Sequence, residues 1–104
     1  MKAGALQPAI AQRVIRRLAQ STDRILWTAH IRQRMRERGI FEAMVLSTLR
    51  QGYVEDEPVS VKGRDEWRAK IVSRQPEGRS VGIVVVVTSS ESLILITAEW
   101  EDIR

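Results

Sequence analysis

The sequence predicts an α+β protein whose N-terminal helices pack on one face of a four-stranded antiparallel sheet, in the order α-α-α-β-β-β-β. Three observations carry this. Apolar residues recur at three- and four-residue spacing as far as Leu49, then alternate or run continuously from Tyr53 onward. Two glycines, Gly39 and Gly52, follow successive helical stretches. Short clusters of Gly, Pro, Asp and Ser separate the strand-like stretches, and connections that short join antiparallel neighbours.

Pro8 suits the first turn of a helix, where its missing N–H leaves no partner wanting. Ile10, Val14, Ile15 and Leu18 then line one face, with Arg13, Arg16 and Arg17 mostly off it. A helix is predicted from Pro8 to Gln20, closed by Ser21-Thr22-Asp23. Residues 1–22 form an accessory segment in this reading, and its apolar face could mediate a homodimer. Ile25-Leu26-Trp27 lead into Thr28, the expected N-cap of a second helix from His30 to Arg38. Gly39 is its left-handed stop; the third helix begins at Ile40, and Gly52 is expected to end it in the same way.

Tyr53 to Val61 is the first predicted strand, with Pro58 marking an edge or a bulge. Lys62-Gly63-Arg64-Asp65 reads as a hairpin turn. Trp67, Ala69 and Ile71 then alternate with Glu66, Arg68, Lys70 and Val72, giving one apolar and one mainly charged face. After the turn Gln75-Pro76-Glu77-Gly78, the β-branched run from Arg79 to Thr88 is the expected central strand, covered on both faces. Ser89 to Ser92 turn the chain into a last strand, Leu93 to Trp100.

A chain of 104 residues, 43% apolar and 29% charged, is a single ordinary domain. It has no cysteine, so disulfides and thiolate sites are excluded, and one histidine does not supply a zinc ligand set. No metal or cofactor is expected. No apolar run approaches the roughly 20 residues of a membrane span, and Arg13, Arg16 and Arg17 interrupt any signal-peptide core. A cytoplasmic protein without membrane contact is the expectation. Charge is uneven: residues 1–52 carry ten Lys/Arg against three Asp/Glu, and residues 53–104 carry seven against ten. Those halves, +7 and −3, make up the net +4. A basic half suits an anionic partner, and equally a basic helical layer docked on a more acidic sheet.

The one histidine heads the most charged helix. With His30 at zero and about 100° per residue, Ile31 falls near 100° and Met35 near 140°, facing the core. Arg34 and Arg38 flank that stripe beside His30 at about 40° and 80°; Arg32 and Arg36, at about 200° and 240°, look to water. Histidine exchanges protons near neutrality, and arginine grips phosphate as a bidentate fork. The residues alone therefore support a basic α+β domain with an anion-friendly helix.

The pattern His30-x3-Arg34-Met35-x2-Arg38-Gly39-Ile40 resembles the signature of the domain-of-unknown-function 4258 (DUF4258) family. Leu49-Arg50-Gln51-Gly52, the acidic Glu55-Asp56-Glu57 and the closing Leu95-Ile96-Thr97-Ala98-Glu99 extend the likeness over about residues 25 to 102. Ile31 stands where that family usually has alanine, and Trp100 near a common tyrosine. The family is similar to small RelE/barnase-like ribonuclease toxins. That resemblance implies a metal-independent endoribonuclease acting on RNA, free or on the ribosome, and held in check by an antitoxin protein.

It also implies a site. His30 would exchange the proton, Arg34 and Arg38 would clamp phosphate, and Thr97 would donate a hydrogen bond. Arg68 and Lys70 would hold a second phosphate, with Arg32 and Arg36 on the nucleic-acid backbone. Glu37, Glu99 or a lysine must supply the second acid–base group. Arg38 has an equal structural reading, favoured by the helix dipole and paired with Glu99, Glu101 or Asp102. A second function class stays open: a non-catalytic module that binds nucleic acid or an acidic protein through the same edge.

Overall fold

A computed structural model describes residues 6–101 apart from Lys62 and Arg64. The elements are α1 (Pro8–Leu18), a 3-10 turn (Thr22–Arg24), β1 (Ile25–Trp27), α2 (Ala29–Arg38), α3 (Glu42–Gln51), β2 (Tyr53–Val54), β3 (Val59–Ser60), β4 (Trp67–Arg74), β5 (Ser80–Val87) and β6 (Leu93–Trp100). The sheet runs β1-β6-β5-β4-β2, with β3 also on β4. The architecture is α+β as predicted, but the sheet has six strands rather than four.

Two local facts make the difference. Ile25–Trp27, read as a lead-in, forms β1 and pairs parallel to β6, from Ile25 opposite Leu93 to Trp27 opposite Leu95. The sheet is therefore not wholly antiparallel. The single strand expected over Tyr53–Val61 is divided: β2 lies on Ile71 and Val72, and β3 on Trp67 and Arg68. Between these pairings four residues, Glu55 to Pro58, stand opposite only Ala69 and Lys70. The acidic loop must leave the ladder there, and Pro58 has no N–H to pair. The β4–β5–β6 meander is antiparallel, as expected. In the predicted turn at 62–65, Lys62 and Arg64 lie outside the described residues.

β5 is central, yet only one of its faces is closed. Val81, Ile83, Val85 and Val87 are buried, whereas Val84 and Val86 are half-buried on the outer face. The helices supply the other side of one core: Ala11, Ile15 and Leu18 from α1, Ile31 and Met35 from α2, Val45 and Leu49 from α3. α1 is thus built into the molecule rather than attached to it. Arg16 donates to the Gly52 carbonyl at 2.6 and 2.9 Å, Arg50 Nε to the Ala19 carbonyl at 2.9 Å, and the Val54 N–H to Gln12 at 3.0 Å. The face that could have served a dimer is largely occupied inside the chain; Ile10 is the large apolar residue of α1 left exposed.

The two glycine stops differ in kind. Gly39 takes the left-handed conformation, φ 67°, and the Ile40 N–H reaches back to the Met35 carbonyl at 3.0 Å. Buried Ile40 beside buried Met35 completes this helix end with an apolar contact. Gly52 has φ −79° and ψ −175°, ordinary extended backbone, so the expected left-handed cap is absent. It is glycine for lack of room. A Cβ there would lie 2.5 Å from the Thr48 carbonyl oxygen and 2.7 Å from that of Val72.

β6 carries an irregularity that decides which side chains meet. Val84 pairs with Thr97 but Val85 with Leu95, so Ile96 is an extra residue on β6. Strict alternation from Leu93 and Leu95 would turn Thr97 inward. The bulge shifts the phase, and Ala98 is buried instead.

Candidate nucleic-acid interface

α2 follows β1 and packs against β6. Thr28 begins it and does two jobs: its Oγ1 accepts from the Ile31 N–H at 3.1 Å and donates to the Leu95 carbonyl at 2.7 Å. At the other end Arg38 Nη1 donates to the Ala98 carbonyl at 2.7 Å, and Trp100 Nε1 donates to the Arg38 carbonyl at 2.7 Å. β1 stops opposite Leu95, and Arg38 reaches the Ala98 carbonyl of β6 beyond the end of that pairing. Arg38 is a clasp between helix and sheet. Among the described residues its partner is the Ala98 backbone, not Glu99 or Glu101; Asp102 lies outside the described residues.

His30 occupies the second position of α2, exposed, and makes no hydrogen bond or ion pair among the described residues. Arg34, one turn on, pairs with Glu37 at 2.7 Å, and Gln33 donates to the same carboxylate at 2.9 Å. Those two donors, Gln33 first and then Arg34, hold the Glu37 carboxyl below its ordinary value. His30, Arg34 and Glu37 thus form one exposed edge. On the opposite flank Arg32 lies over the Trp27 ring at 4.6 Å and bridges to Glu42 of α3 at 3.2 Å. Arg36, exposed beside it, has no partner among the described residues.

The remaining predicted residues lie elsewhere. Thr97 and Lys70 both stand opposite Val84, so the three share the outer face of the sheet. Arg68, opposite Val86, shares that face and is exposed. The outer face points away from the core that the helices fill, and this separates Thr97, Lys70 and Arg68 from the edge of His30. Lys70 is held between Glu101 at 2.8 Å and Glu99 at 3.4 Å. The hydrogen bond to Glu101 raises the Lys70 ammonium above its ordinary value, while burial raises Glu101 despite that lysine. The two partners move in one direction for different reasons.

Sequence reasoning missed three contributors. Glu101 enters through Gly82: a Cβ there would stand 2.5 Å from Glu101 Oε2, so glycine in a β-branched run makes room for the carboxylate. That break in the run was the available signal. Trp100 acts through its indole N–H, a donor that a tyrosine hydroxyl could imitate. Phe41 stands at the N-cap of α3 without a capping bond and is 66% exposed. Among the described residues, no three His, Asp or Glu side chains gather as a metal cluster, and no helix is long and apolar enough to cross a membrane.

The class that emerges is an α+β domain whose basic helix is clasped to an open sheet edge and keeps one histidine–arginine edge in water. The family model for a domain of unknown function, DUF4258, matches residues 27–100, and the chain belongs to that family. No curated protein and no solved structure matches it.

Proposed function

We propose that this protein is a metal-independent endoribonuclease, the toxin of a toxin–antitoxin pair, whose working edge is His30, Arg34 and Glu37. One observation carries the reading. The fold itself uses four positions of the His-x3-Arg-Met-x2-Arg-Gly-Ile signature: Met35 and Ile40 in the core, Arg38 in the clasp and Gly39 in the cap. His30, exposed, and Arg34, half-buried and paired among the described residues only with Glu37, have no such duty and lie one helical turn apart.

The chemistry follows from those groups. Cleavage needs a base at the ribose 2′-hydroxyl, an acid at the leaving 5′-oxygen and a cation on the phosphate. Glu37, held ionised by its neighbours, takes the first proton, His30 delivers the second, and Arg34 grips the phosphate. The Arg34–Glu37 pair is solvent-accessible and screened by water and salt, so an incoming phosphate displaces the carboxylate at small cost. Arg38 serves by fixing the helix. Thr97, on the far face of the sheet, takes no part.

The test is cleavage of a labelled RNA in excess chelator, with the products examined for cyclic phosphate ends. Wild type is expected to cleave, and His30→Ala and Arg34→Ala each to lose at least about 100-fold in rate with unchanged melting. Equal cleavage by both variants rejects the site; none by wild type rejects the activity. One observation favours binding without cleavage: no described side chain hydrogen-bonds His30 and orients its ring. In that case salt-dependent RNA binding persists in His30→Ala and weakens in Arg34→Ala.

A further inference from the structure

The second flank of α2 faces a cleft of about 310 Å³ where α2 turns into α3. Met35 and Ile40 lie in its wall, and Arg32, Arg36, Phe41 and Glu42 surround it. Two of these residues do nothing for the fold. Phe41 stands at a helix N-cap, where Ser, Thr, Asp or Asn would accept a first-turn N–H, and it forms no such bond. It also buries little, with two-thirds of its surface in water. Arg36 has no partner among the described residues. Arg32 is already neutralised by Glu42, so Arg36 is the cleft's available cation.

We propose that this cleft is a subsite for one unpaired nucleotide of single-stranded RNA, its base stacked on Phe41 and its phosphate held by Arg36. The size fits: small-ligand pockets start at about 300 Å³. Flat aromatic surface beside one arginine complements a flat base beside one phosphate, and the basic N-terminal half favours a polyanion over an acidic-poor peptide. A duplex keeps its bases stacked inside and does not reach Phe41. The proposal rests on the RNA reading above and uses none of the residues assigned to cleavage.

A ten-nucleotide 2′-O-methyl RNA, which lacks the attacking hydroxyl, separates the two. Binding by the full chain is measured by fluorescence anisotropy across a salt series for wild type, Phe41→Ser, Arg36→Gln and Thr97→Ala. Phe41→Ser keeps or improves the helix cap, so it folds; it is expected to weaken binding about 5- to 100-fold with an unchanged salt slope, as for a lost stack. Arg36→Gln is expected to lower the slope by about 0.7, one phosphate contact on a single strand. Thr97→Ala, on the outer face of the sheet, binds as wild type. Phe41→Ser and Arg36→Gln binding as tightly as wild type overturns the subsite and leaves cleavage at His30 standing. Failure of wild type to bind, or equal binding of a matched duplex, also overturns it. Loss of RNA cleavage with these effects intact removes the nuclease reading alone.

Discussion

Two hydrogen bonds meet at one junction, from Arg38 Nη1 to the Ala98 carbonyl and from Trp100 Nε1 to the Arg38 carbonyl, so truncating either side chain leaves a carbonyl without its donor. Arg38→Ala is expected to cost about 1–3 kcal/mol by urea denaturation, since it uncovers a strand carbonyl as well as removing a charge-assisted bond. Trp100→Phe removes only the indole donor and should cost about 1 kcal/mol. Because both bonds hold the same end of α2 on β6, the double variant should lose less than both together, by at least about 0.5 kcal/mol. Additive losses would mean that the clasp is two unrelated contacts. The same scale shows how a residue's chemistry and its role can part: Arg38 looks like a phosphate clamp by type and spacing, yet its guanidinium is held by the backbone.

At the scale of elements, the two helix ends make opposite predictions for one substitution. Gly39→Ala meets open space but a left-handed backbone, and should cost about 1–2 kcal/mol. Gly52→Ala has an easy backbone and two carbonyl oxygens in the way, so it must push α3 from β4 and should cost more than Gly39→Ala. Matching melting curves for the two would show that the Gly52 approach relaxes freely. α1 belongs to the core, so Ile15→Ala should cost about 2–5 kcal/mol and shift the whole unfolding transition. A change confined to fluorescence of a local step, with the main transition unmoved, would restore α1 to the status of an accessory arm.

For the molecule as a whole, the ionic row on the outer face sets a pH signature. Glu101 is raised in the folded chain from 4.5, so folded protein holds that proton more tightly than unfolded protein does. Its stabilising contribution is full below about pH 4.5 and lost as pH rises through the folded value. Lys70 is raised from 10.5, and its contribution persists up to that region and is lost above it. The difference between wild type and Glu101→Gln in urea midpoint should therefore change as pH rises above about 4.5, and that between wild type and Lys70→Gln as it rises above about 10.5. Flat differences would separate the row from stability. Glu37, lowered on the exposed edge of α2, contributes in the opposite sense, as stability lost on acidification.

What could be read directly from the residues was local. The Thr28 cap, the stop at Gly39, the change of period at Tyr53 and the shared edge of His30 and Arg34 all concern residues a few places apart, where spacing alone sets geometry. What folding in three dimensions decided was long-range. β1 is three residues, too few for a pattern, and finds its parallel place only because β6 offers an edge. One extra residue at Ile96 turns Thr97 to the outer face, and a uniformly apolar stretch gives no local sign of that shift. The acceptor for Arg38 is a carbonyl sixty residues away. Periodicity records which face a side chain takes on its own element; which surface meets that face depends on how whole elements exclude water together.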